Sequence, residues 1–166
     1  LIQHLAETTF RSSRLVAFNL IWVGVVMFII DRYSRRNLTL SHVNMGRALS
    51  VGVAQTLALV PGVSRSGITI TMSRALGLDR VDATRFSFLL SAPIITGATL
   101  KVLLGHEARE QIAAAPSLYA VGIVAAAVSG YFSIKFLISY LSKHGLALFA
   151  VYRVAIGLLI LAVGLQ

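Results

Sequence analysis

The chain has 166 residues, of which 57% are hydrophobic and 13% are charged, and its mean hydropathy is +0.82. Soluble domains carry about 25% charged residues, so this composition predicts an integral membrane protein. The net charge is +9 and there is no cysteine, which excludes disulfides and thiolate metal sites from these residues. The basic residues cluster at the ends of apolar runs, as orientation in a membrane requires, so we expect no nucleic-acid partner.

The first predicted element is a membrane span over residues 15–30, in which Asn19 is the only polar residue. A span needs roughly 20 apolar residues, and long flanking side chains such as Arg14 can reach the interface. A polar amphipathic stretch precedes this span, and the chain starts at Leu1 without a methionine. We therefore expect the chain to be a fragment.

The second element is interrupted: residues 48–60 and 68–78 are apolar and helix-like, with a Pro-Gly pair between them. At ~1.5 Å per residue the two pieces are about 20 and 16 Å long, too short for a hydrocarbon core of ~30 Å. They predict a re-entrant helical hairpin over about residues 47–80, which is tolerated where protein buries the turn or the turn lines a cavity. The alternative is one short span over 48–63 followed by a loop.

Arginines flank this interrupted element on both sides. If the chain enters and leaves the membrane on one side, these cations share that side, which the positive-inside rule makes cytoplasmic. The single-span alternative would put the two groups on opposite faces, which fits the rule less well. The arginines are Arg32, Arg35, Arg36, Arg47, Arg74, Arg80 and Arg85.

Three further spans are predicted, over residues 86–104, 118–141 and 146–165. The middle one is rich in small residues that allow close helix packing. Arg153 is costly inside the last span, and we expect it to bind a structural partner such as a carbonyl group at a helix end. The chain is therefore predicted to be a single all-α integral membrane domain over residues 1–166, with four transmembrane helices and one re-entrant hairpin.

The break between the two half-helices has the composition of an anion site. Pro61 ends the first helix, and Gly62 permits a turn that other residues resist. Ser66 stands where an N-cap belongs, which would leave the N–H groups of residues 67–69 pointing back into the turn. A helix start attracts anions because unpaired N–H donors and the positive end of the dipole converge there.

Side chains of the same break add to the predicted phosphate site. Arg65 has a permanent charge and a planar set of donors that matches phosphate, and Ser64, Ser66 and Thr69 add hydroxyl donors. An ionisable group at membrane depth is by default a functional hypothesis. The alternative is that Arg65 only reaches the interface and the hydroxyls only cap the helix.

These residues resemble a known family. The segment AQTLALVPGVSRSGITITMSRALGL, followed by RFSFLLSAPIITGA and later by FAVYRVAIG, is similar to the undecaprenyl-pyrophosphate phosphatases, the bacitracin-resistance membrane phosphatases. The resemblance implies hydrolysis of a C55 isoprenoid pyrophosphate to the monophosphate that carries cell-wall precursors. It also implies a multi-pass location in the bacterial inner membrane and an inverted-repeat fold, in which two re-entrant hairpins meet at mid-membrane.

The resemblance also implies roles for individual residues. Arg65 would clamp the pyrophosphate of the prenyl lipid, and Ser64 and Thr69 would line the catalytic site beside it. A divalent metal, Mg²⁺ or Ca²⁺, would take part. The residues implied to contact the substrate are Gly62, Ser66, Gly67 and Gln55.

The chain departs from the family pattern in one respect. The family's first repeat carries an E/Q-x-x-x-E motif whose glutamates bind the metal, and no such motif appears here in an apolar setting near a turn. Glu107 and Glu110 lie in a polar loop instead. The chain thus looks like the second repeat with the preceding span. We expect the metal ligands to lie outside it, the 166 residues alone to be inactive, and the exposed repeat interface to favour a homo-oligomer.

An alternative function is that of an anionic-lipid transporter or flippase, because a phosphate-binding hairpin at mid-membrane would serve transport equally well. Carboxylates close to the phosphate site would imply a metal and hydrolysis. A phosphate site without carboxylates would imply binding alone. The resemblance favours hydrolysis.

Overall fold

The computed structural model describes residues 13–34 and 38–163, and all the regular elements within them are helices. This confirms the all-α class. The N-terminal stretch and the predicted cytoplasmic Arg35 and Arg36 lie outside the described residues. The α-helices are α1 (Ser13–Tyr33), α2 (Met45–Thr56), α3 (Arg65–Ala75), α4 (Arg80–Leu103), α5 (His106–Ala114), α6 (Pro116–Lys143) and α7 (Ala147–Val163).

Three of the helices, α1, α4 and α6, are long and apolar enough to cross a membrane. They correspond to the first three predicted spans. Helix α4 begins earlier than predicted because the Asp79 side chain caps it, accepting a hydrogen bond of 2.8 Å from the Asp82 N–H. The fourth predicted span corresponds to α7, an apolar helix of 17 residues, and its crossing of the bilayer stays a prediction.

Helices α2 and α3 form a helix–turn–helix, and the segments that precede and follow it are joined by hydrogen bonds. The Leu38 N–H donates to the Gly77 carbonyl at 2.9 Å, and the Asp79 N–H donates to the Leu38 carbonyl at 2.8 Å. Helix α2 ends at Thr56, and the chain continues through a short 3₁₀ turn, Leu57–Leu59. Both flanks of the hairpin therefore lie at one end of the molecule, although its insertion into a bilayer stays a prediction.

Helix α1 packs closely along α7, and a glycine makes this possible. A Cβ added to Gly157 would lie 2.6 Å from a side-chain carbon of Ile21 and 2.8 Å from the Ala17 carbonyl oxygen. Helix α3 packs against α1, α2 and α4, and its Ile70 joins Met27 in the main buried cluster. The second helix of the hairpin is thus packed against both α1 and α4.

The outer half of α4 and nearly all of α6 are exposed in this chain. Every described residue of α4 from Ala92 onward is exposed, and Leu141 is the one buried residue of α6. Apart from the neighbouring residues and backbone of α6 itself, no described atom lies within 4 Å of a Cβ placed on Gly122 or Gly130. The small residues of the third predicted span therefore make no close helix contact within the described residues, contrary to what their composition suggests.

Candidate functional site

The turn between α2 and α3 is closed by its own hydrogen bond, from the Val63 N–H to the Val60 carbonyl at 3.1 Å. Pro61 is its second residue, and Gly62 is its third with φ +88°, the features of a type II turn. A Cβ on Gly62 would lie 2.6 Å from the Val16 carbonyl oxygen of α1. Glycine is therefore required at this position both by the backbone angle and by the close approach of α1.

The first turn of α3 is capped by Ser64. Its backbone is extended, and its side-chain oxygen accepts a hydrogen bond of 3.1 Å from the Gly67 N–H. The Ile68 N–H donates to the Ser64 carbonyl at 2.9 Å. The prediction of Ser66 as the N-cap is wrong, because Ser66 already lies inside the helix.

Because Ser64 and not Ser66 is the N-cap, the N–H groups at the start of α3 have other partners than predicted. Those of Gly67 and Ile68, predicted to face the turn, are used by Ser64. In the described part of the chain, no group accepts from the N–H of Arg65 or Ser66, the first two residues of the helix. These two donors lie at the positive end of an 11-residue helix, a combination that attracts anions.

Arg65 lies at this helix start with an exposed side chain. Its guanidinium forms no hydrogen bond or ion pair with any described residue. The hydroxyl oxygens of Ser64 and Ser66 are 3.3 Å apart next to it. One free guanidinium, two hydroxyls and two free N–H groups are thus gathered at the tip of the hairpin.

Thr69 lies beneath Arg65 and is fully buried. Its hydroxyl donates to the Arg65 carbonyl at 2.8 Å and is 2.6 Å from the Ser87 Oγ of α4. The hydroxyl of Thr69 is thus covered by α4 and joins α3 to that helix, and the role of Thr69 in the site stays a prediction. Gln55 is half-buried, and its Oε1 has no hydrogen-bond partner among the described residues.

Two side chains, one from α1 and one from α7, hold the carbonyl groups of the turn. The Asn19 Nδ2 of α1 donates to the Pro61 carbonyl at 2.7 Å, and the Arg153 Nη2 of α7 donates to the Gly62 carbonyl at 2.8 Å. The prediction that Arg153 binds a structural carbonyl is confirmed. The contact of Asn19 was missed, although its place as the single polar residue of an apolar run was a signal.

A cavity of about 260 Å³ lies between the start of α3 and helices α1, α6 and α7. Ser64, Ser66 and Arg153 form its polar edge, and apolar side chains such as Met27 and Phe149 form the rest of its wall. The lining thus combines polar groups of the turn with an apolar surface. This combination suits an amphiphilic ligand better than a fully polar one.

Comparison with known proteins places the chain in a family. The family profile described as "Bacitracin resistance protein BacA" matches residues 1–159. The chain belongs to the BacA family. It is 47% identical over 162 residues to the undecaprenyl-diphosphatase of Gemmatimonas aurantiaca, an alignment that covers 98% of this chain and 60% of that relative.

Two other relatives with the same name, undecaprenyl-diphosphatase, give a similar result. The one from Desulforudis audaxviator is 39% identical over 168 residues, covering 99% of this chain and 61% of the relative. The one from Rubrobacter xylanophilus is 44% identical over 158 residues, covering 94% and 57%. This BacA-family chain spans about three fifths of the length of these relatives.

The far end of the hairpin in this BacA-family chain holds a buried ionic network that the sequence did not reveal. Asp31 Oδ1 is 2.8 Å from Arg80 Nε and 3.3 Å from Arg74 Nε, and Asp31 Oδ2 accepts from the Leu146 N–H at 2.9 Å. Arg74 also donates to the carbonyls of Leu78 at 2.6 Å and Ser34 at 3.1 Å. Arg74 and Arg80, which the sequence analysis attributed to membrane orientation, thus also hold the base of the hairpin together.

The acidic side chains near the hairpin of this BacA-family chain lie at its base. No three His, Asp or Glu side chains of the described part lie close enough together to hold an ion. The buried carboxylates of Asp31 and Asp82 are engaged at the base of the hairpin, where Asp82 Oδ2 accepts from the Leu40 N–H at 2.8 Å. The tip supplies donors, which suit an anion rather than a cation.

Proposed function

We propose that this protein takes part in the hydrolysis of undecaprenyl pyrophosphate to undecaprenyl phosphate and inorganic phosphate, and that the tip of the α2–α3 hairpin binds the pyrophosphate. Membership of the BacA family and the name of the relatives support the reaction. One observation supports the placement: the guanidinium of Arg65 is exposed and unpaired among the described residues, at the free N-terminus of α3. The transporter alternative gains no support from the comparisons.

The reaction sets the requirements for the tip. A bond forms between a water oxygen and the terminal phosphorus, and the bond from that phosphorus to the bridging oxygen breaks. The bridging oxygen leaves with the lipid monophosphate. Negative charge on the terminal phosphate and on the leaving oxygen must therefore be neutralised in place.

The groups of the tip meet these requirements in different ways. The planar guanidinium of Arg65 can bind two phosphate oxygens at once. The N–H groups of Arg65 and Ser66 have no acceptor among the described residues, and the Ser66 hydroxyl can donate as well. Ser64 accepts from the Gly67 N–H through its oxygen, so its own hydroxyl proton remains available for a phosphate oxygen.

Thr69 has a supporting role in this proposal. Its hydroxyl holds the carbonyl of Arg65 and is hydrogen-bonded to Ser87 of the neighbouring helix. The orientation of the first turn of α3 is therefore tied to α4. A divalent cation, Mg²⁺ or Ca²⁺ by resemblance to the family, would need ligands from outside the described residues.

We also propose a multi-pass location in the bacterial inner membrane, with α1, α4, α6 and α7 crossing and the α2–α3 hairpin entering from the cytoplasmic side. The apolar helices support this, as do the bonds between Leu38 and both Gly77 and Asp79. These bonds join the two arginine-rich flanks of the hairpin. The chain would then be the second half of an inverted-repeat fold, and its exposed α6 surface would allow self-association.

The experiment that tests the function is an assay of phosphate release from undecaprenyl pyrophosphate by the full-length protein with Mg²⁺. Arg65→Lys keeps the charge and loses the planar fork, so we expect turnover to fall at least tenfold, or ~1.4 kcal/mol. Arg32→Lys is the matched control, because Arg32 is also exposed and lies at the end of α1. An inactive wild-type protein contradicts the function, and near-normal turnover by Arg65→Lys contradicts the site.

A further inference from the structure

Asn19 and Trp22 form a pair that the proposed phosphate contacts leave unexplained. Asn19 is the single polar residue of its apolar run, and Trp22 is the single tryptophan of the chain. Asn19 is only 5% exposed. A buried amide within a membrane span is costly unless its donor and acceptor are both satisfied.

Both groups of the Asn19 amide are satisfied, and only one orientation of the amide allows this. The Nδ2 donates to the Pro61 carbonyl at 2.7 Å, and the Oδ1 accepts from the Trp22 Nε1 at 2.9 Å. A carbonyl can only accept and an indole N–H can only donate. The indole of Trp22 therefore sets the orientation in which Asn19 holds Pro61.

The Pro61 carbonyl has no partner within the turn itself. The hydrogen bond that closes the turn uses the Val60 carbonyl, which leaves those of Pro61 and Gly62 for groups from outside. Asn19 takes the first and Arg153 takes the second. Two consecutive peptide groups are thus fixed from α1 and α7, immediately before the residues that begin α3.

We infer that Asn19 and Trp22 are positioning residues for the phosphate site: Trp22 orients Asn19, and Asn19 holds the Pro61 carbonyl so that the turn directs Arg65 and the first N–H groups of α3 toward the phosphate. This inference rests on the proposed function. A rotation of the Pro61–Gly62 peptide would move the start of α3, and the donors of the tip would move with it. Neither residue is among the groups proposed to contact the substrate.

Such a role predicts a specific kinetic pattern. A displacement of about 1 Å can cost on the order of 100-fold in rate, whereas the ground-state phosphate can adjust to donors that have moved. Loss of the pair should therefore lower kcat far more than it raises KM. A side chain that only stabilised the fold would reduce the amount of folded protein and leave kcat per folded molecule unchanged.

The kinetic test uses Asn19→Ala and Trp22→Phe in the full-length protein, with undecaprenyl pyrophosphate as substrate and rates normalised to folded protein. We expect Asn19→Ala to lower kcat about tenfold or more, and Trp22→Phe to lower it less because the Asn19 donor remains. KM should change less than about threefold in both variants. Thr84→Val is the control, since it removes a buried hydroxyl whose one hydrogen bond among the described residues is to the Arg80 carbonyl of its own helix.

A spectroscopic measurement gives a second readout that does not depend on turnover. The indole N–H resonance of Trp22, assigned by its loss in Trp22→Phe, should shift when inorganic pyrophosphate is added to the wild-type protein. It should not shift in Asn19→Ala, where the link to the turn is absent. An unshifted wild-type resonance, or a kcat for Asn19→Ala equal to that of Thr84→Val, overturns the inference. If the wild-type protein is active and Asn19→Ala has the same kcat, only this inference is contradicted. If the wild-type protein is inactive, the proposed function itself is contradicted.

Discussion

Arg65 and Arg74 lie at opposite ends of helix α3, and their surroundings differ completely. Arg65 is exposed and binds no described residue. Arg74 is 3% exposed, faces the carboxylate of Asp31 and donates to two carbonyl groups. An arginine thus binds no described residue at the tip of the hairpin, whereas at its base an arginine pairs with Asp31 and donates to two carbonyl groups.

The two ends are also held by different interactions. The base is held by an ionic network around Asp31, whereas the tip is held through its backbone carbonyls by Asn19 and Arg153. Holding the tip by its backbone keeps the charge and hydroxyls of its side chains available. A site that must bind a highly charged group needs this division, because an arginine already paired with a carboxylate would have to be released first.

The largest effect we expect is a complete loss of activity in the isolated 166-residue chain. Within the described residues the tip has donors but no carboxylate or imidazole to hold a metal or activate water. Phosphate release from undecaprenyl pyrophosphate with Mg²⁺ should therefore stay at background, with the full-length protein as the positive control. Clear metal-dependent turnover by the isolated chain would mean that the tip supplies its own catalytic groups.

The next largest effect is a difference in stability between variants of Arg74 and Arg65. Arg74→Met leaves Asp31 buried with one cationic partner fewer, and we expect the free energy of unfolding to fall by about 3 kcal/mol. Arg65→Met should change it by less than about 0.5 kcal/mol, because the side chain is exposed. Denaturant titration of both variants in detergent measures the difference.

A double variant sharpens this comparison at the base. Asp31→Asn combined with Arg74→Met removes both charges, so it should be less destabilised than the sum of the single variants. Equal losses of unfolding free energy in Arg65→Met and Arg74→Met would show that the contacts of Arg74 at the base contribute no more to stability than the exposed Arg65 at the tip.

The smallest effect distinguishes two serines of the tip. Ser64→Ala removes the N-cap of α3 and should cost about 1 kcal/mol of stability. Ser66→Ala removes an exposed hydroxyl, so its cost in stability should stay below about 0.5 kcal/mol while its turnover falls. Thermal unfolding and phosphate release, measured on the same two samples, test this. If the two variants lost the same stability, Ser64 would not be the N-cap of α3.

Local signals in the sequence were sufficient to predict the apolar helices and the turn, whereas the segment around Glu107 and Glu110, predicted to be a loop, forms α5. The apolar runs gave α1, α4, α6 and α7, and the Pro-Gly pair gave the break between α2 and α3. The partner of Arg153 was also predictable, because a guanidinium among apolar helices needs an acceptor and a broken helix exposes carbonyl groups. Gly62 provides that acceptor.

Features that depend on contacts between distant segments could not be predicted. The Ser-Arg-Ser sequence offers two caps, and the choice of Ser64 depends on where the backbone leaves the turn. Thr69 is buried only because Ser87 of another helix covers it. The pairing of Asp31 with Arg80 joins residues 49 positions apart, and no local sequence pattern predicts it.

The hydrogen bond from Arg153 to the Gly62 carbonyl spans 91 positions in the sequence, and this has a consequence during translation. At roughly 5–20 residues per second, the ribosome needs on the order of 5–20 s to make the intervening segment. The turn is therefore synthesised, with Asn19 already present, well before its second support exists. In the nascent chain the Gly62 carbonyl must be satisfied by water or by lipid head groups until α7 leaves the ribosome and displaces them.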